Sequence, residues 1–290
     1  MRAPAALLVA LLPIVLAAAG CGFRSEPTGA VPAFPQTIQD GLGRLVEVTA
    51  RPQRVLSLDP GLTRDAEAVG ARASLIPAPA GLTAGDTARI SALHPDLVLL
   101  PAAVGAGQAD GLARALGAAV YVAGSGSLAA LEHDLGQIAL ATGNGAGGGA
   151  LVRRMSADVA GLRSAVRGLS PTPVFLDAGL FFPVPSGGLV GELLRLAGGD
   201  DVAATADSGR PFPPARLRAA APQAYLALAG RGVSLQQLRR SRATRTIPAV
   251  RNGRFAVLAA SALTDPGVGV VTTLRVLVRL LHPGAVPSTG

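Results

Sequence analysis

At 290 residues with a net charge of +8 and 49% hydrophobic residues, the chain is long enough for two lobes, each with its own core. Its positive charge is all arginine, and the absence of lysine removes a Walker A loop and Schiff-base chemistry. A single cysteine, three dispersed histidines (His94, His133 and His282) and no Gly-x-Ser-x-Gly turn exclude an intrachain disulfide, a clustered metal site and a hydrolase elbow.

Arg2, the short apolar run Ala5 to Ala19 and the small residues before Cys21 predict an export signal over residues 1–20 with a bacterial lipobox. Cys21 is then the lipidation site, and the Pro/Gly-rich residues 21–35 form a tether. Beyond the signal no apolar run is long enough to span a bilayer. Localisation is expected to be extracytoplasmic, at the membrane of a bacterial envelope.

A first α/β lobe is expected over residues 36–127. Strands are predicted at Leu45 to Thr49, Arg54 to Leu58, Ala73 to Ile76, Leu97 to Leu100 and Ala119 to Val122. Helices are predicted at Leu62 to Val69, ending at Gly70, and at Thr87 to Leu93 and Asp110 to Leu116. A helical spine, residues 128–168, follows as Leu128 to Ala141 and then Ala150 to Arg167. There Leu151, Met155, Val159, Leu162 and Val166 share one face. A second lobe, residues 169–290, has strands at Val174 to Leu176, Ala224 to Leu228 and Phe255 to Leu258. Its helices are Leu189 to Leu196, Leu235 to Arg240 and Val270 to Leu281. The fold class is α/β: two Rossmann-like lobes with mainly parallel sheets joined by a long helix.

Gly143-Asn-Gly-Ala-Gly-Gly148 matches G-x-G-x-x-G, but it follows a helix, whereas a dinucleotide turn follows a strand. It is expected to be a loose joint, and Gly105-Ala-Gly107 a cleft-edge loop. No cofactor or metal is expected. Six arginines from Arg239 to Arg254 predict a solvated face near anionic lipid or cell-wall polymer, with anionic ligand or partner recognition as the alternative. Export and the lack of interleaved aromatics argue against nucleic acid.

Several segments together carry a resemblance. They are Asp40-Gly-Leu-Gly-Arg44, Arg51-Pro-Gln-Arg-Val-Leu-Ser-Leu58 with Pro60 and Thr63, Ile90 to Leu99, Leu135-Gly136 with Thr142-Gly143, Glu192 to Gly199, Ile247 to Arg254, and Pro266-Gly267 leading to His282-Pro283. In order and spacing, from Gln36 to Pro283, the chain resembles the binding proteins of ABC importers for ferric siderophores, haem and cobalamin.

The resemblance implies a monomeric receptor, not an enzyme, that binds a metal chelate or corrinoid between two lobes and hands it to a permease. Loops past the strands then face the ligand: Asp59, Pro60, Leu62, Pro79, Pro101 and Ser125 in the first lobe. In the second they are Phe181, Phe182, Arg210, Phe212, Arg231, Ser261 and Leu263. The phenylalanines would offer an apolar platform and the arginines partners for ligand carboxylates or phosphate.

The family's two permease-docking glutamates fall at Arg64 and near Ala215, beside Arg216, so neither is present. Asp65 and Glu67 are the possible substitutes. That departure leaves a second reading open, an envelope interaction lipoprotein without ordinary docking. An enzyme using Asp177 or Asp207 is a third.

Overall fold

The computed structural model describes residues 34–285, so the expected signal, Cys21 and most of the tether lie outside the described residues. An antiparallel hairpin comes first, β1 (Gln36–Gln39) and β2 (Leu45–Val48). Its turn is built on Asp40, which is 2% exposed. That carboxylate accepts from the backbone of Leu42 and Arg44 and from the Arg44 guanidinium at 2.6 Å.

Two four-stranded sheets follow. The first holds β3 (Val55–Ser57), β4 (Leu75–Ile76), β5 (Leu97–Leu100) and β6 (Ala119–Val122), in the order β4-β3-β5-β6. The second holds β7 (Thr172–Asp177), β8 (Gly199–Asp201), β9 (Ala224–Leu228) and β10 (Phe255–Leu258), in the order β8-β7-β9-β10. Every pairing within them is parallel. The lobes therefore repeat one topology: second, first, third, fourth strand. Parallel strands require crossovers that cover both faces of a sheet, which is why β5 and β9 are apolar and buried along their whole length.

The crossovers of the first lobe are α1 (Pro60–Ala68), α2 (Thr87–Ser91) and α3 (Ala106–Leu116). Between the lobes run α4 (Leu128–Ala141) and α5 (Gly145–Ala165). The second lobe has α6 (Gly188–Leu196), α7 (Pro214–Ala220), α8 (Leu235–Arg240), α9 (Pro248–Arg251), α10 (Ala260–Thr264) and α11 (Val270–Leu281).

Strand alternation divides the buried residues into three cores. Leu56, Val98, Leu100 and Val120 point outward to α2 and α3. Phe175, Tyr225 and Ala227 point outward to α7, α8 and α9. The opposite faces, with Val55, Leu97, Leu99, Val174, Leu176 and Leu226, merge through α1, α4, α5, α6 and α11 into one core that both lobes share. Opening the lobes widely would expose that apolar surface to water, so the spine resists a large hinge motion.

Several expectations change here. The spine is a pair of packed helices rather than one long helix. The supposed loose joint is mostly helix: only Thr142 to Asn144 connect, and Gly145 begins α5. Gly148 serves contact, because a Cβ there would overlap that of Ala139 on α4. Gly105 caps α3, so Ala106 and Gly107 are its first turn and not a loop. The elements missed, β1, β8, α7, α9 and α10, are short, with at most one buried apolar residue in each strand. The helices among them run four to seven residues, too short to show a period.

Candidate functional site at the lobe junction

In a sheet of this order the connections from the first and third strands leave toward opposite faces, and a crevice opens at their carboxyl ends. Asp59 after β3, Pro101 to Ala103 after β5 and Ala123 to Ser127 after β6 line a cavity of about 240 Å³. Leu189 of α6 and Thr264 to Pro266 close it from the second lobe. A wider hollow of about 420 Å³ shares Asp59 and continues past Ser57, Pro77 and Pro79.

Each wall has a local cause. Asp59 caps α1 by accepting from the Leu62 amide at 2.9 Å, with Pro60 following at the first helical position. Tyr121 donates its hydroxyl to Asp134 at 2.6 Å, and the Gly124 amide donates to the same carboxylate at 2.9 Å. These bonds hold the floor, Ala123 to Ser127, against α4.

The two lobes meet beside the cavity through reciprocal carboxylate contacts. Asp65 of α1 is 1% exposed and accepts from the Val268 amide at 2.8 Å. Gly267, at φ 51°, makes room: a Cβ there would run into the Asp65 carboxylate. Asp265 lies the other way round, over Gly61, where a Cβ would meet it. On the far side Glu192 of α6 accepts from the Leu128 amide at the start of α4, at 2.8 Å.

The sequence model of the family described as "Periplasmic binding protein" matches residues 70–262, well over half of the chain. The chain belongs to the periplasmic binding protein family. Its members bind solutes and are not enzymes. Solved structures of this class share the fold. A periplasmic haem-binding protein of Roseiflexus sp. RS-1 is 23% identical at a TM-score of 0.66, covering 81% of this chain and 99% of its own. The vitamin B12 binding protein of Vibrio cholerae is 19% identical at 0.64, covering 80% and 97%. A periplasmic solute binding protein of Veillonella parvula is 13% identical at 0.72, covering 86% and 87%. A search of curated proteins finds no match.

In this periplasmic binding protein the first-lobe expectations converge. Asp59, Leu62, Pro101 and Ser125 line the inner cavity, and Asp59, Pro60 and Pro79 the adjoining hollow.

The second-lobe residues scatter. Phe181 and Arg231 line a separate hollow of about 230 Å³, with Leu180, past the ends of β7 and β9. Leu180 is 77% exposed, and it and Phe181 both have positive φ, at 53° and 66°. Such backbone is costly for residues with side chains. Phe182 is half-buried. Arg210 is exposed, 3.5 Å from Asp207. Ser261 lines a shallow surface recess beside Arg64.

Two assignments are corrected. Phe212 is 4% exposed because its ring packs on Phe175 with centroids 5.6 Å apart, and its amide donates to the Phe181 carbonyl. It supports the loop instead of facing ligand. Leu263 is fully buried in α10, a helix where a loop was expected.

Asp65, as a docking substitute, is also overturned, since it is sealed in the lobe contact. Glu67 pairs with Arg72 at 3.0 Å, while Arg64, Ala215 and Arg216 are exposed. Asp177 accepts from the Tyr225 hydroxyl at 2.6 Å and the Gly179 amide at 2.8 Å, a structural duty.

Asp134 and Asp265 escaped the sequence reading. Asp265 precedes the quoted Pro266-Gly267, but only the fold brings it to Asp59.

Burial pushes Asp65 up to about 7, against the pull of the Val268 amide, with the Asp265 charge adding to the rise. Burial and the Asp59 charge push Asp265 up to about 6. A carboxyl raised in the native state binds a proton that the unfolded chain has already lost. Its contribution is therefore whole below about pH 4 and disappears as pH rises through 6–7. Asp65→Asn keeps the acceptor and removes the titration. It is expected to raise the melting temperature by roughly 5 °C at pH 8 and to leave it unchanged at pH 4. Equal shifts at both pH values in a thermal melt would contradict the assignment.

Proposed function

We propose that this periplasmic binding protein is a lipid-anchored monomer, held through Cys21, that captures an iron-siderophore, haem or cobalamin-type ligand for an ABC permease. The observation that carries the reading is the cavity between lobes at the carboxyl ends of β3, β5 and β6. Similar structures described as haem-binding and vitamin B12 binding proteins support the ligand class.

Asp59, Leu62, Pro101 and Ser125 are the inner contacts, Pro60 and Pro79 the outer ones, and Leu180, Phe181 and Arg231 the rim of the second lobe. The inner lining contains Asp59, Asp65, Asp134 and Asp265 and no basic side chain. The part of the ligand seated there is neutral or cationic and donates hydrogen bonds, because an anion would be repelled in a partly dry site. At the permease, Arg64 calls for an acidic partner, since like charges across the contact would be repulsive.

Isothermal calorimetry of residues 31–290 against haem, cyanocobalamin and a panel of ferric siderophores is expected to find one ligand bound at micromolar affinity or tighter. No heat with any of them from folded protein would overturn the reading.

A further inference from the structure

From Ser208 to Thr264 the chain contains ten arginines and neither aspartate nor glutamate. The fold gathers most of them. α7, α8 and α9 cover the outer face of the second sheet, burying Leu217, Leu238, Ala249 and Val250 against Phe175 and Tyr225. Their other sides carry Arg216, Arg218, Arg239, Arg240 and Arg251, and the segment between α8 and α9 adds Arg242 and Arg245, every one exposed.

Two of these arginines tie the elements together. Arg218 donates to the Ala243 carbonyl at 3.1 Å and Arg239 to the Val250 carbonyl at 3.2 Å. Among the described residues none of the seven forms an ion pair. A globular surface ordinarily intersperses both signs, because a one-sign field costs self-repulsion. Among the described residues no carboxylate pairs with any of the seven, which leaves their charge open to an anionic surface outside the molecule.

We propose that this face rests on the anionic phospholipid headgroups of the membrane. Arginine pairs with phosphate through a planar fork of donors, and each basic residue near such a surface adds to binding. The chain outside the described residues fits: from Cys21 to Phe34 it reaches about 45 Å at full extension, enough to let the body lie flat. The face is on the side of its sheet opposite to α5, α6 and α11, so contact with lipid leaves the shared core undisturbed. Surface contact would hold the lobe close to the bilayer whichever solute is carried, independently of the ligand.

Flotation of residues 31–290, which lack any anchor, with phosphatidylglycerol-rich vesicles is expected to bring protein up with the lipid. Pure phosphatidylcholine vesicles should leave it behind. Raising the salt should release it. Arg240→Gln, Arg242→Gln, Arg245→Gln and Arg251→Gln together should weaken vesicle binding about 100-fold or more. The same number of changes at Arg153, Arg154 and Arg163 on α5 and at Arg167 just past its end alters net charge equally and should weaken it far less.

Circular dichroism verifies that both variants fold, and the single changes replace any that do not. Equal loss in the two variants, binding to neutral vesicles, displacement by inorganic phosphate at constant ionic strength, or capture only by an anionic cell-wall polymer would each overturn the proposal.

Discussion

Gly148→Leu is expected to lower the melting temperature by roughly 6–12 °C, while Gly147→Ala, one residue earlier, should raise it slightly. At Gly148 a Cβ would overlap Ala139 across the α4–α5 contact, and Leu135 O lies close behind. No flexible side chain is there to yield, so the helices must separate. The separation loosens the core that both lobes share around Leu135, Ala139 and Met155. Overpacking of this kind costs about 3 kcal/mol, and a protein of this size loses about 2–4 °C per kcal/mol. Gly147 is exposed, and a Cβ there would have nothing within 4 Å. There alanine only improves helix propensity, by about 1 kcal/mol. Opposite signs at neighbouring glycines, followed by circular dichroism, separate a packing role from a flexible joint. A joint would show two small changes of the same sign.

Asp134→Ala is expected to cost about 3 kcal/mol and to loosen the cavity floor. Asp134 is 3% exposed, and burial holds its carboxyl above the ordinary carboxylate range. Removing it leaves the Tyr121 hydroxyl and the Gly124 amide without their acceptor in a place water reaches poorly. Tyr121→Phe deletes one donor and leaves the other bond intact, so about 1 kcal/mol is expected. Urea denaturation gives the two costs. Hydrogen exchange at residues 122–127 gives the local effect, which should be faster exchange in Asp134→Ala and nearly native exchange in Tyr121→Phe. Unchanged exchange in Asp134→Ala would show that the floor is held by something else.

The first-lobe site was legible because its residues sit directly after strands that the sequence marks with unbroken apolar runs. Asp59-Pro60 announces a helix cap, and Pro101 and Ser125 follow β5 and β6. The second-lobe site was not, because its loops contain short helices below the length at which periodicity shows. Phe212 illustrates the difficulty: a phenylalanine between two prolines looks like a loop platform until Phe175 is seen beneath it. Asp65 likewise looks like an ordinary exposed acid on α1 until Val268 is found against it.

Local pattern by itself determined the strands β5, β6 and β9, the helices α4, α8 and α11, and the alternation that makes a parallel α/β fold. Those features depend on neighbours a few residues away, where hydrophobic period and caps are written. Only the tertiary structure decided that two copies of one strand order face each other, that Asp65 and Asp265 meet glycines of the opposite lobe, and that seven arginines without an ion pair among the described residues share a face. Each of these depends on residues far apart in the chain, such as the 203 positions between Asp65 and Val268. The energy of such contacts is set by burial and charge that exist only once the lobes have packed.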